Sequence, residues 1–223
     1  MAFFTREYVD YFKKLARNNK REWFHAHKKH YEQHVKAPFN EFVAEMIDRI
    51  SVLDPAIDLE PRDAIFRIAR DIRFSKDKTP YKTHMAAVIT PGGRQDVQYP
   101  GLYFYFGATG VGIGGGVYKP EKDNLYRIRQ AIQRDGKRLE RALKAKAFRD
   151  LYGGELRGEQ NKRIPKEFAE AAERFPYIAN KQFYYFAEYS DPAVVLRKDL
   201  AGFVLRHYRT GMKVNEFLKA ALS

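Results

Sequence analysis

Between Arg67 and Lys82, six basic side chains fall within sixteen residues. They are Arg67, Arg70, Arg73, Lys76, Lys78 and Lys82, set against Asp71 and Asp77. If Ile65 to Phe74 is a strand, its period of two puts Arg67, Asp71 and Arg73 on one face, about 7 Å apart per two-residue step. Two guanidiniums flanking a carboxylate could clamp an oxyanion while Asp71 orients one of them. Lys76, Lys78 and Lys82 would rim the same concavity, with Tyr103 or Tyr105 on the neighbouring strand. The chemistry expected there is binding of a phosphorylated or carboxylated ligand. Two alternatives use the same residues: a solvated polar face with local ion pairs, which is ordinary on an antiparallel sheet, or a nucleic-acid backbone site. Arg70 falls on the opposite side, among Phe66, Ile68, Ile72 and Phe74. A buried guanidinium needs a partner, so the expectation is a largely buried Arg70 paired to a helix carboxylate.

Other constellations carry less. His25, His27, His30 and His34 lie in one predicted helix, where His27, His30 and His34 share an arc of about 60° beside Trp23. His30 and His34 have the i, i+4 spacing of a helical metal pair. The chain has no cysteine, and position 31 is Tyr, so no HExxH is formed. A third ligand would have to come from His84, His207 or a distant carboxylate. The expectation is therefore no bound metal, and a polar helix edge with His27 partly buried. Gly110-Val111-Gly112-Ile113-Gly114-Gly115 has the letters of a dinucleotide-binding loop, but alternates as a strand with no helix opening inside it. Strand glycines more often admit the close approach of another element. Tyr103-Phe104-Tyr105-Phe106 and Phe183-Tyr184-Tyr185-Phe186 could stack nucleobases. Without the ribonucleoprotein motif, packing under helices is the better reading. No nucleophile elbow, Walker A loop or Ser–His–Asp spacing occurs, and no cofactor is indicated.

The elements that must position these residues follow from periodicity. Thr5 can cap a helix with Tyr8, Val9, Phe12 and Leu15 inward, which Asn18-Asn19 ends. A second helix is predicted from about Lys20 to Lys36. Pro38 opens a third, with Phe42, Met46 and Ile50 repeating every four residues. Strands are predicted at Ile65 to Phe74, Lys82 to Thr90, Leu102 to Phe106, Val111 to Tyr118 and around Phe183 to Tyr189. Pro120 suits the first turn of a further helix, which Asp135-Gly136 ends, and another short one covers Lys137 to Phe148. Asp191-Pro192 starts the last helical region, with a break near Gly211. The fold class expected is α+β, a single domain over residues 1–223. N-terminal helices precede a mostly antiparallel sheet of about four to five strands, and C-terminal helices follow.

With 223 residues, 44% of them hydrophobic and 31% charged, the chain can build a core, and wholesale disorder is excluded. The absence of cysteine removes disulfides, thiolate-held metals and a thiol nucleophile. No apolar run is long enough for a membrane-spanning helix, and Met1-Ala2-Phe3-Phe4-Thr5-Arg6 lacks the pattern of a signal peptide. The expected location is cytoplasmic. The net charge is +13 and unevenly placed. Residues 1–60 balance ten basic against ten acidic groups, residues 61–100 carry eight against four, and residues 101–150 eleven against five. Such a field attracts anionic partners without reading base sequence. A localised anion site, with or without enzymatic activity, and a broad basic surface for nucleic acid or protein both remain open. Oligomeric state is not legible.

Three pieces of the chain are distinctive together. They are Asn18-Asn19-Lys20 with Trp23-Phe24 and Tyr31; the run from Arg67-Ile68-Ala69-Arg70-Asp71 through Thr79-Pro80-Tyr81-Lys82; and Gly114-Gly115-Gly116-Val117-Tyr118-Lys119-Pro120. With Lys162-Arg163-Ile164-Pro165-Lys166, they resemble the bacterial family of conserved hypothetical proteins catalogued as domain of unknown function 2461. The resemblance covers nearly the whole chain and implies a single-domain bacterial protein. It implies no activity, cofactor or catalytic residue.

Overall fold

The computed structural model describes every residue except Met1 and Val97. The chain is α+β: helices at both ends and one four-stranded antiparallel sheet between them. The strands are β1 (His84–Ile89), β2 (Gly101–Gly107), β3 (Gly110–Val117) and β4 (Phe183–Tyr189), in the spatial order β1-β2-β3-β4. No helix is long and apolar enough to cross a membrane.

The chain clusters into two compact units. The first takes the segment up to Arg94, Tyr103–Ile113 and Glu188–Leu205; the second takes Gln95–Leu102, Gly114–Ala187 and Arg206–Ser223.

In the first unit, α1 (Arg6–Arg17) starts after Thr5, in extended conformation at the N-cap, and ends at Asn18. Its inward stripe is the one expected: Tyr8, Val9, Phe12 and Leu15, with Tyr11 added, are all buried. The predicted helix from Lys20 to Lys36 is instead broken at His27, where φ is −108° and ψ 15°. The pieces are α2 (Arg21–Ala26), α3 (Lys28–Tyr31) and a π-helical turn over Glu32–Lys36, which runs into α4 (Ala37–Ser51). Pro38 sits in the first turn of α4, directly after the π-helical turn. Phe39, Phe42, Met46 and Ile50 are fully buried, as are Phe104 and Phe106 of β2. Phe42 meets Phe104 edge-on with centroids 5.6 Å apart, and Tyr8 donates to Phe106 O at 3.1 Å. Alternation along β2 therefore places Phe104 and Phe106 against helices and leaves Tyr103 and Tyr105 for the other face.

The predicted strand from Ile65 to Phe74 does not form. The segment after the short helix α5 (Pro61–Ala64) touches its neighbour only at single bridges, Ile65 with Ala87 and Ala69 with Tyr81. The extended course stops at Asp71, whose carboxylate accepts from the Arg73 N–H at 3.2 Å. Such a side-chain cap offers the backbone a turn in place of a ladder. Phe74, expected on the apolar face, is 95% exposed.

In the second unit, α6 (Lys122–Lys144), α7 (Lys146–Tyr152), α8 (Ala169–Arg174) and the Arg206–Leu222 part of α9 (Leu200–Leu222) surround Phe183 and Tyr185 of β4. One predicted helix end is in fact continuous helix: α9 runs through Gly211. The other is present: Asp135 leaves the helical region (φ −144°, ψ 44°), so α6 is two helical stretches joined at a kink where Asp135-Gly136 was expected to end a helix. Pro120 lies before the helix, which starts after Glu121. Both glycines also serve packing: a Cβ on Gly136 would strike the Phe175 ring, and one on Gly211 the Tyr185 phenol. The glycines of β3 act likewise. Gly114 and Gly116 lie against the β4 backbone and Gly115 against Gly101 O and the Tyr185 ring, and Gly116 adopts a φ of +98°. Tyr185 is thus gripped from two sides, and its hydroxyl donates to Asn215 Oδ1 at 3.1 Å.

Overpacking at a rigid buried ring costs roughly 1–3 kcal/mol. Gly211→Ala is expected to lower unfolding free energy by at least that much in urea melts, although α9 is helical there and alanine favours helix. An unchanged or higher midpoint would show that the Tyr185 ring can move.

Candidate functional site

An open cleft of about 570 Å³ lies in the first unit, lined by Arg70, Asp71, Asp77, Thr79, Lys82 and His84, together with Asn19 and Tyr81. It forms where the extended segment after α5 runs beside residues 80–87: Arg70 N donates to Pro80 O, and Lys82 N to Ile68 O, both at 2.9 Å. Asn19, just beyond α1, fixes this corner. Its Nδ2 donates to Tyr81 O at 2.8 Å and its Oδ1 accepts from Tyr81 N at 3.1 Å. The Tyr81 ring stacks on Phe24 of α2, centroids 4.1 Å apart and planes 16° apart. The amide therefore acts as one rung of a sheet, supplied by a side chain.

The loop from Asp71 to Thr79 is held by its own charges. Arg70 donates to Asp77 through Nη1, which also reaches Thr79 Oγ1 at 2.7 Å; Asp77 Oδ1 accepts from Thr79 N at 2.9 Å. Arg73 forms a bidentate pair with Asp71, Nε to Oδ1 at 3.0 Å and Nη2 to Oδ2 at 2.7 Å. These bonds hold both carboxyls well below the usual range, at about 2: the Arg73 contacts for Asp71, and the Thr79 N–H and then Arg70 for Asp77.

Lys82 is different. It is half-buried, its Nζ lies 5.3 Å from the Phe66 centroid, and no carboxylate among the described residues pairs with it. Burial, then the charges of Arg67 and Arg70, lower its pKa. His84, in β1, is pushed down to about 4 by burial and by Lys82. It is neutral at pH 7 and packs on Tyr105 with centroids 5.2 Å apart.

Of the residues singled out by sequence, the structure brings Asp71 and Lys82 into the cleft, with Arg67 close enough to act on both. Arg73 is turned to Asp71 with its side chain 76% exposed. Lys76 is exposed, and Lys78 Nζ donates to Ile72 O at 3.0 Å. Tyr103 meets Phe66 edge-on at 6.2 Å, and the Tyr105 hydroxyl faces Glu188 Oε1 at 3.4 Å. The expectation for Arg70 is corrected in its partner: its side chain is 27% exposed and does pair with a carboxylate, but with a loop aspartate seven residues on rather than one from a helix. The turn at Asp71 is the reason, because it folds Asp77 back over the strand end. Asn19, Thr79, Tyr81 and His84 were not read as site residues. Asn19 carried a signal, since two consecutive asparagines exceed what ending a helix requires.

His27 is half-buried and stacked on Trp23 at 4.0 Å, with its Nδ1 2.8 Å from Trp23 O. His30 and His34 are 4.5 Å apart by ring centroid. The distant carboxylate that a third ligand would require is present: Glu7 Oε2 lies 2.5 Å from His34 Nδ1.

The Asp77 interactions are present above its unfolded pKa and are lost as pH falls through its folded value. The Thr79 amide resonance should therefore titrate with a midpoint near 2, not near 3.8. Asp77→Asn should remove that titration and speed hydrogen exchange in residues 71–79 several-fold. A midpoint near 3.8 in the wild type would show that the loop is not so held.

No curated protein and no solved structure was found to match the chain. One family does match, described as a conserved hypothetical protein family, DUF2461, over residues 7–217. That span includes the Asn19 corner, the charged loop, the glycine-rich strand and Tyr185. The chain belongs to the DUF2461 family of conserved hypothetical proteins.

Proposed function

We propose that the protein binds an anionic ligand, phosphorylated or carboxylated, in the cleft of Arg70, Lys82 and His84, with Arg67 at its margin. The setting supposed is a bacterial cytoplasm, where small metabolites of this charge abound. The observation that carries the reading is Lys82. A half-buried ammonium beside two guanidiniums, with no carboxylate partner among the described residues, is destabilised by burial and by like charge. An anion relieves both, through charge-assisted hydrogen bonds worth roughly 1.5–3 kcal/mol each. Asp71 and Asp77 do not compete for it, because Arg73, Arg70 and Thr79 already hold them. Asn19 and Thr79 offer neutral polar groups at the same place. His84, held neutral, is the group in the cleft that could exchange a proton with a bound ligand, so the reading accommodates an enzyme without specifying a reaction.

A second reading has its own observation. Phe74 is 95% exposed on a loop that also exposes Arg73, Lys76 and Lys78. An exposed aromatic among cations suits single-stranded nucleic acid, by stacking and phosphate contact.

The two readings separate on which residue matters. Inorganic phosphate at ten times its Kd stabilises by about 1.4 kcal/mol, a rise of roughly 3–6 °C in Tm for a chain of this size. The comparison is with chloride at matched ionic strength. Lys82→Gln should abolish the rise, and Lys76→Gln should not. Bound phosphate should also raise the His84 pKa in NMR titration, because a nearby anion favours the charged form. An equal phosphate response in wild type and Lys82→Gln would remove the anion site. Oligonucleotide binding that survives Lys82→Gln but falls with Phe74→Ala would favour the second reading.

A further inference from the structure

We propose that Glu7, His30 and His34 form a binding site for one divalent transition-metal ion of the zinc class, separate from the cleft. The three side chains each offer a ligand atom, and these atoms all lie within 4.8 Å of one another. The arrangement comes from two helical segments meeting at matched intervals. On α1, Glu7 and Tyr11 are one turn apart. On the other segment His30 and His34 are one turn apart, in the reverse sense. Glu7 meets His34 at 2.5 Å, and the Tyr11 ring lies over His30, centroids 5.8 Å and planes 14° apart. Tyr11 is itself buried, so it can fix the plane of the His30 ring as outer-shell partners do at metal centres.

The backbone at the site is also unusual. His34 lies inside the π-helical turn Glu32–Lys36, and His30 two residues before it in α3. Single π turns inside helices occur mostly at functional sites. Two imidazoles and one carboxylate match the borderline donor set of Zn²⁺, Co²⁺ and Ni²⁺ rather than the all-oxygen set of Mg²⁺ or Ca²⁺. Glu7 is exposed and the two histidines are half-exposed. Solvent can therefore fill the remaining positions, as in zinc sites with three protein ligands and a water.

The test uses the full chain, stripped with chelator and dialysed, titrated with Zn²⁺ by calorimetry and with Co²⁺ by visible absorption. The expected result is one equivalent bound and a rise in Tm with Zn²⁺ but not with Mg²⁺. His30→Ala and His34→Ala should each weaken binding by more than the 10–100-fold typical of losing an outer-shell partner. Glu7→Gln should weaken it less, and His25→Ala should leave it unchanged. Circular-dichroism melts without metal show whether each variant is folded. Should an alanine variant fail to fold, paramagnetic Co²⁺ on the wild type decides the matter: it must broaden the His30 and His34 ring signals before those of His25 and His27. Equal Zn²⁺ binding in folded His34→Ala and wild type, no binding at millimolar metal, or broadening that starts at His25 or His27 would each overturn the proposal.

Discussion

The Asn19 amide donates to one atom of the Tyr81 peptide unit and accepts from another, and the rest of the first unit's cleft depends on that pair. It joins the end of α1 to the chain entering β1 across 62 residues of sequence. Without it, the Pro80 to Thr83 stretch would keep the single bridge at Ala69, the bond from Ala108 N to Thr83 O at 3.0 Å and the stacking on Phe24. Two hydrogen bonds to backbone contribute about 1–3 kcal/mol net. Their geometric effect is larger than that figure suggests. Tyr81 lies next to Lys82, and three residues before His84, so a small rotation there moves both cleft groups at once.

Charge around the cleft is arranged by local neutralisation. Arg73 answers Asp71 and Arg70 answers Asp77, each within seven residues. These exposed pairs contribute little to global stability. What they do is fix the loop shape and occupy both carboxylates. The positive balance that remains lies on Arg67, Lys76, Lys78 and Lys82, of which Lys82 lies over the Phe66 ring. The second unit solves a buried cation differently. Arg129 is 5% exposed, and donates to the Ile178 and Asn180 carbonyls. A guanidinium on a sequence-apolar stripe can thus be satisfied by backbone oxygen as well as by a carboxylate.

The elements with strong periodicity were legible: α1, α4, β1, β2 and β4 fall where the pattern of apolar residues places them. So was the meaning of the glycines in β3, because alternation around Gly114 and Gly115 excluded a phosphate loop. The segment from Ile65 to Phe74 was misread for a specific reason. It alternates like a strand, but Asp71 accepts from the Arg73 N–H, and that local cap stops the extended course after isolated bridges to Ala87 and Tyr81. Gly211 misled as well, since a helical glycine that admits a neighbouring ring looks like a helix end. The Glu7–His30–His34 cluster was half visible. The i, i+4 pair can be seen along one helix, whereas the carboxylate comes from a different helix, and pairing between helices leaves no mark in local spacing.

The division of the chain into two units has a consequence for the order in which the protein can be made. The first unit ends with Glu188–Leu205, and the second already holds Gly114–Ala187. As the chain leaves the ribosome, its N-terminal helices emerge early with their apolar faces uncovered, and β2 arrives only after residue 101. The last contribution to the first unit follows nearly all of the second. Domains that occupy one contiguous stretch can fold as they emerge; this one cannot finish its first half until about nine-tenths of the chain has been synthesised. Nascent Phe39 and Phe42 meet their β2 partners, Phe104 and Phe106, well before that point, so the half-made first unit presents a partly assembled core while the second is being synthesised.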